Sequence, residues 1–303
     1  MRILISGASG LVGSGAAEAL RADGHTVGRL VRPGKTPAAG DVAWDPNAAV
    51  IDLAALEGAD AVLHLSGASV AEGRWTNSRK RILRGSRLGS TRVLIDALGK
   101  LQQKPRVFLA ASAIGYYGSR GDEVLTEASS NGRDFLAQLV RDWEAESLRA
   151  QQIGLRTVLL RFGIILSVRG GALPKMLTPF KIGAGGRLGS GRQWMSWIAL
   201  DDVVGAIRVA LAGDELAGPV NIVAPNPVQN SEFTRGLASA LRRPALFPAP
   251  AFMLRLALGE MADEMLLAST RVTPEKLLLS GFKFRYPDLE AALRGIIVEG
   301  RGG

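Results

Sequence analysis

The sequence predicts an α/β protein built on a doubly wound parallel sheet, with a smaller C-terminal lobe. Three observations carry that prediction. Short apolar runs bounded by glycine alternate with helical stretches. A glycine-rich turn, Ser6-Gly7-Ala8-Ser9-Gly10-Leu11-Val12-Gly13, joins the first run to the first helix. The alternation loosens after about residue 170, where glycines and basic residues crowd together.

Residues 2–6 form the first buried strand. Residues 14–22 have helical composition and end at Gly24, a C-cap position suited to glycine. Residues 25–31 are the second strand, with β-branched Thr26, Val27 and Val31. Further strands are expected at 61–65, 106–111, 156–161 and 220–223, separated by helices at 80–98, 135–151 and 203–212. Residues 170–191 read as loop with one short helix, and 244–250 as a Pro-rich break. Helical segments at 252–267 and 288–297 follow, the second with Asp288 as N-cap. These pieces cannot extend a parallel sheet. The expected division is therefore 1–165 plus about 198–225 for the sheet domain, and about 166–197 plus 226–303 for the lobe.

The 303 residues are enough to bury a large core. The absence of cysteine excludes disulfides, thiolate metal sites and thiol nucleophiles. Two histidines, His25 and His64, argue against a metal site or a histidine-based triad, so no metal is expected. No apolar run approaches the roughly 20 residues of a membrane span. The first residues are too short in apolar character for a signal-peptide core. A cytoplasmic protein is expected. The net charge of +9 calls for an anionic partner. The basic residues are scattered and accompany no nucleic-acid motif, which argues against nucleic acid.

Strand, glycine turn and helix in that order are the context of a dinucleotide fingerprint in a Rossmann sheet. Gly7 permits the tight turn, Gly10 lets backbone approach a pyrophosphate, and Gly13 lets helix and strand pack closely. With Ser9, Leu11 and Val12 they make up the expected phosphate cradle at a helix N-terminus. An NAD site usually ends its second strand in an acidic residue. Here none occurs between Asp23 and Asp41; Arg29, Arg32 and Lys35 stand there instead. Arg32 falls at the carboxyl end of the strand, where a guanidinium can grip a 2′-phosphate. The expected cofactor is NADP(H).

The G-x-x-G-x-x-G spacing resembles the extended short-chain dehydrogenase/reductases of the NAD-dependent epimerase/dehydratase type, with Ser6 where they usually carry Thr. Leu63-His64-Leu65-Ser66-Gly67-Ala68 resembles their strand ending beside the cofactor. Ser86-Arg87 and Thr91-Arg92 resemble the following helix, Ala111-Ser112-Ala113 the fifth strand's end, and Trp197–Val203 a W-I-x-x-D-D-V stretch. Glu260-Met261-Ala262 and residues 277–287 resemble the C-terminal module of the SulA-like epimerase-family subgroup. The resemblance implies cofactor contacts from Leu65, Ser66, Gly67, Ala111 and Arg161.

In the wider family a Tyr and a Lys, at Y-x-x-x-K on the helix after the fifth strand, handle the proton. None of Tyr116, Tyr117 and Tyr286 has Lys four residues on, and residues 122–174 contain neither Tyr nor Lys. The remaining candidates are Ser112, to polarise a substrate oxygen, and Tyr116 or Tyr117 as acid/base. His64, inside an apolar strand, reads as a hydrogen-bonded core histidine. Glu127 and Asp134 read as capping or solvated residues, and Asp201 as an N-cap. Residues 183–197 combine glycine, arginine and tryptophan, and the resemblance makes this a substrate loop, with Arg192, Gln193, Trp194 and Ser196 as candidates. Two functions follow: an NADP-dependent oxidoreductase or epimerase acting on a small polar, carbonyl, hydroxyl or nucleotide-linked substrate, or a non-catalytic NADPH sensor. A homodimer is the candidate assembly.

Overall fold

The computed structural model describes residues 1–34 and 36–299. Its centre is an eight-stranded sheet. Numbered along the chain, the strands are β1 (Arg2–Ser6), β2 (Thr26–Val31), β3 (Val42–Asp45), β4 (Val50–Ile51), β5 (Ala61–His64), β6 (Val107–Ala113), β7 (Arg156–Phe162) and β8 (Gly218–Ile222). They lie in the order β8-β7-β6-β5-β1-β2-β3-β4. Neighbours are parallel except the edge pair β3–β4. The order reverses between β1 and β5, and open sheets of this kind bind ligands beyond the strand ends at such a switch.

The main helices are α1 (Leu11–Ala22), α2 (Asn77–Arg84), α3 (Ser90–Gly99), α4 (Phe135–Gln152), α5 (Ala172–Lys181), α6 (Leu200–Ala212), α7 (Asn230–Leu241), α8 (Ala251–Leu258) and α9 (Leu289–Glu299). Successive strand residues point to opposite faces, and both faces are covered. Ile3, Ile5 and Leu63 pack with Leu20 of α1 and Ile207 of α6. Leu4, Val62 and Phe108 pack with Leu94 and Leu98 of α3. Each such fully buried side chain contributes about 2 kcal/mol. A third cluster joins Leu173 of α5, Phe233 of α7, Leu293 of α9 and Trp197. Short pairings stitch this region together: Trp194–Met195 with Val228–Gln229, and Trp197–Ala199 with Ile164–Leu166. Arg271–Val272 pairs with Val124–Leu125.

The structure departs from the sequence reading at a few element ends. Helix α1 begins at Leu11, three residues early, because its N-cap is Gly10, which offers no side-chain cap to mark the start. Strands β3 and β4 are too short to show a period. The helix expected at 80–98 is α2 and α3, joined by a π-helical turn at Gly85–Gly89. Asp201 is not an N-cap. That position is Ala199, and Asp201 lies in the first turn of α6, where it pairs with Arg285. Asp134 does cap α4, accepting from Ala137 N at 2.7 Å. No helix among the described residues is long and apolar enough to cross a membrane.

His64 is the core histidine expected from its strand. It is fully buried, with Ser6 Oγ 2.7 Å from Nδ1 and Thr91 Oγ1 3.0 Å from Nε2. Leu65 N donates to Ser6 Oγ at 3.1 Å, so the hydroxyl ties the imidazole to the segment after β5. Burial pulls its pKa from 6.5 down to about 4. A histidine depressed in this way binds fewer protons folded than unfolded between those values. Its contribution is full above pH 6.5 and is lost as pH falls toward 4, on the order of 3 kcal/mol. The stability gap between wild type and His64→Gln, measured by urea denaturation, should therefore narrow from pH 7 to 4.5. A gap independent of pH would contradict a buried neutral imidazole.

Candidate functional site

The turn after β1 is shaped by close backbone approach. Gly7 has φ of +70°, and a Cβ there would lie 2.8 Å from the Leu65 carbonyl oxygen. A Cβ at Gly13 would lie 2.3 Å from the Gly7 oxygen. Only glycine fits either position. Ser9 and Gly10 are exposed, and no side chain caps the N-terminus of α1. The turn therefore leaves helix N–H groups open to an anion. A dinucleotide's phosphates fit this cradle.

At the end of β2, Val31 is buried and Arg32 exposed. Arg32 makes no ion pair among the described residues. A cavity of about 310 Å³ opens beside it, lined by Trp44, Asp45 and Ile51 among others. The indole N–H of Trp44 is buried without a partner among the described residues. Arg29, the neighbouring cation on β2, is committed elsewhere: its guanidinium pairs with Asp41 at 2.6 Å. Lys35 lies outside the described residues. Leu65, Ser66 and Gly67 run past Gly7 beyond the end of β5, forming the adjoining wall.

The strand register sets Ser112 of β6 opposite Arg161 of β7. Both are buried, at 3% and 2% exposure. Glu144 of α4 takes Arg161 bidentately, Nε to Oε1 and Nη2 to Oε2 each at 2.7 Å. Ser112 donates to the same Oε1 at 2.5 Å. Arg161 Nη1 donates to the Tyr117 hydroxyl at 2.8 Å, and that hydroxyl donates to Asn221 Oδ1 at 2.7 Å. Burial opposes the charge on Arg161, but the Glu144 carboxylate outweighs it and its pKa is raised. Burial pushes the Tyr117 phenol up to about 12. The guanidinium also lies 3.6 Å from the ring centroid of Tyr116.

Several of the expected site residues already have partners inside the protein. Arg161 is buried, and Glu144, Tyr117 and the Glu127 carbonyl take four of its five N–H donors. Tyr117 is fully buried, so it is a poor acid/base. Ser112 spends its one proton on Glu144. Tyr116 is partly exposed, and its hydroxyl has no partner among the described residues. Ala111 is buried in β6 beneath this cluster. Glu127 is not solvated: it is buried, accepts from Asn221 N at 3.0 Å, and leaves Oε2 without a partner.

The expected substrate loop is mostly a seam. Gln193 donates to the Leu188 and Leu266 carbonyls at 3.1 and 3.2 Å. Ser196 donates to Thr270 O at 2.8 Å and accepts from Val272 N at 2.9 Å. Trp194 donates to Asp122 at 2.7 Å, and Arg271 stacks on its ring at 4.3 Å. These three hold segment 266–272 and loop 119–125 in place. Of the four candidates Arg192 is the exposed one, with no ion pair among the described residues; Arg187 in the same loop is exposed too, with its guanidinium on the Ser190 carbonyl. The sequence reading missed the partners Glu144 and Asn221: Glu144 is one of several charges on its helix, and Asn221 a single amide in an apolar strand.

A doubly wound parallel sheet, a three-glycine cradle at its switch point and a polar cluster at the ends of β6 and β7 define an extended short-chain dehydrogenase/reductase-type protein. The comparisons give the particular family. The chain belongs to the NAD dependent epimerase/dehydratase family, whose model matches residues 3–223, and residues 249–296 match a domain of unknown function, DUF1731. It is 44% identical over 292 residues to an epimerase family protein of Mycobacterium bovis, covering 96% of each chain. It is similar to the human epimerase family protein SDR39U1, solved with NADPH: 32% identity, TM-score 0.88, 98% and 99% of the two chains covered. It also resembles a nucleoside-diphosphate sugar epimerase from Corynebacterium glutamicum, with 36% identity and TM-score 0.81. That match covers 98% of this chain and 58% of the other.

Removing one partner of a buried ion pair strands the other charge, which costs about 3–5 kcal/mol. Glu144→Ala should lower the unfolding free energy by that amount in urea denaturation. Ser112→Ala, which leaves both Arg161–Glu144 bonds intact, should cost about 1 kcal/mol. Equal losses in the two variants would deny the pair its central place.

Proposed function

We propose that the chain binds NADP(H) and acts as an oxidoreductase or epimerase on a small polar substrate, with nucleotide-linked sugars the first class to test. The observation that carries this reading is the open glycine cradle together with an unpaired Arg32 and no acidic residue at the end of β2. Backbone of Ser9, Gly10, Leu11, Val12 and Gly13 would hold the phosphates. Arg32 would grip the 2′-phosphate, and Leu65, Ser66, Gly67 and Ala111 would wall the cleft. The human relative solved with NADPH supports the cofactor, and the Corynebacterium glutamicum relative's name supports the substrate class. A bound nicotinamide would supply hydride transfer.

For the proton, the side chain best placed is Tyr116. Its ring is held by Arg161 and crossed by Tyr117 at 5.4 Å, while its hydroxyl is unclaimed among the described residues. Ser112 acts through Glu144 as a positioning residue. Arg192 is the exposed cation left to meet an anionic substrate group. The chain divides, in this reading, into the cofactor domain and lobe drawn above from the sequence.

A non-catalytic NADPH sensor is the second reading. It is favoured by the missing Tyr–Lys pair and by the commitment of Ser112 and Tyr117 to internal bonds. Two assays together separate them: net oxidation or reduction of nucleotide sugars followed at the nicotinamide absorbance, and epimer formation followed by proton NMR (an epimerase returns its hydride and leaves no net absorbance change). Turnover in either supports the enzyme, and tight binding without turnover in both supports the sensor. If turnover is found, Tyr116→Phe should reduce it about 100-fold or more.

Fluorescence titration tests the cofactor. NADPH should bind more tightly than NADH, and Arg32→Ala should weaken NADPH about 10- to 100-fold while leaving NADH nearly unchanged. Equal affinities in the wild type, or no loss in the variant, would overturn the assignment.

A further inference from the structure

The π-helical turn Gly85–Gly89 between α2 and α3 places one arginine unusually. Such turns are rare and gather at functional sites. Arg87 lies with its guanidinium 5.2 Å from the ring centroid of Trp143 on α4. On its other side it meets Gly67, where a Cβ would stand 3.3 Å from the Arg87 Cζ and 3.4 Å from Nη2. The guanidinium packs closely against Gly67 in the segment beyond β5. That same segment closes on Gly7 through the Leu65 carbonyl. The guanidinium thus stands between the wall of the phosphate cradle and the helix that, in the wider family, carries the Tyr–Lys pair.

Its neighbours show what is missing. Arg84 pairs with Asp142, Arg92 with Glu146, and Arg161 with Glu144. Arg87 has no carboxylate among the described residues; Nη1 donates to the Leu83 carbonyl at 3.2 Å. Burial, with Arg79 nearby, pulls its pKa down to about 10. Arg87 is half-buried, so its charge is partly desolvated with no counter-ion beside it, and one carbonyl takes only one of its five guanidinium N–H donors among the described residues. The cations of α4 are committed elsewhere: Arg141 is exposed and pairs with Asp142, and Arg149 pairs with Asp96 and Glu146.

We propose that Arg87 is an oxyanion-binding residue of the cleft, its counter-charge arriving with the ligand. The oxyanion is a phosphate of the NADP(H) diphosphate or the anionic group of the substrate. The first source rests on the cofactor reading above. Arg87 then places a cation beside the cofactor from the neighbouring helix, where α4 has no lysine to do so.

The test compares wild type, Arg87→Gln and Arg87→Lys by fluorescence titration with NADPH, with 2′,5′-ADP, and, on NADPH-saturated protein, with inorganic phosphate. Arg87→Gln should weaken NADPH about tenfold or more, with partial recovery in Arg87→Lys. Binding of 2′,5′-ADP, which lacks the diphosphate, should hold and show that the variant is folded. Unchanged NADPH binding, with phosphate binding lost in Arg87→Gln, assigns the residue to the substrate's anion. The ligand-free variant should unfold at the same urea concentration as wild type or higher, because an unpaired, half-buried charge is gone; a purely structural arginine predicts a loss. Arg87→Gln matching wild type in both the NADPH and phosphate titrations overturns the proposal. Wild type that binds neither NADPH nor 2′,5′-ADP overturns the cofactor reading instead, and the phosphate titration then decides Arg87 alone.

Discussion

The ion pair between Arg161 and Glu144 organises the upper end of this molecule. Two charges taken out of water must recover a desolvation cost of several kcal/mol each. They recover it here through bidentate geometry and two further hydroxyl contacts, from Ser112 and Tyr117. That requirement fixes positions. Arg161 must end β7, Ser112 must stand opposite it on β6, and α4 must present Glu144 at that height. Tyr117 then reaches Asn221 on β8, so three strand ends and one helix share a single polar network. The turn at Ile114–Tyr117 is held by the same guanidinium, whose face carries the ring of Tyr116. The exposed tyrosine is thus anchored by a buried charge.

The C-terminal segment completes the other side of the cleft by a different device. Helix α4 begins with open N–H groups, and two carboxylates meet them. Asp134 accepts from Ala137 N, while Glu264 accepts from Leu136 N at 2.8 Å and Phe135 N at 3.3 Å. Lys80 binds Glu260 at 2.5 Å, tying the same segment to α2. Ser196 and Trp194 secure it from the opposite direction. A side chain that reads as a substrate ligand in a glycine-rich loop can equally close a seam between segments distant in sequence. In this protein Gln193, Trp194 and Ser196 do the second.

What was legible in the sequence follows from this. The glycine turn could be read because its backbone demands, a φ of +70° at Gly7 and sub-van-der-Waals room at Gly13, admit one residue type. The strands could be read because both sheet faces are apolar. The ion pair could not. Arg161 and Glu144 each look like ordinary charges, and their meeting depends on a register that only the assembled sheet sets. Arg29 and Arg32 are equally ambiguous on paper. They separate because Asp41 folds back onto Arg29, accepting from its backbone N at 2.8 Å as well as its guanidinium, and leaves Arg32 alone. His64 was legible for the opposite reason: a lone imidazole in an apolar strand has few fates besides a satisfied one.

The distribution of pairing gives the positive charge of +9 a sharper meaning. Arg29, Arg84, Arg92, Arg120, Arg149, Arg161 and Arg208 all have carboxylate partners. Arg32 and Arg87 have none among the described residues, and they flank the glycine cradle from opposite sides, one at the end of β2 and one beside the segment after β5. Solvated surface arginines need no partner, so Arg32 alone would say little. Arg87 is different, because it is half-buried and partly desolvated without a counter-ion, and it stands beside a helix terminus already primed for anions. Two uncompensated cations and an uncapped helix end converging on one cleft describe a receptor for a ligand with several separated negative charges, which is the charge pattern of a phosphorylated dinucleotide.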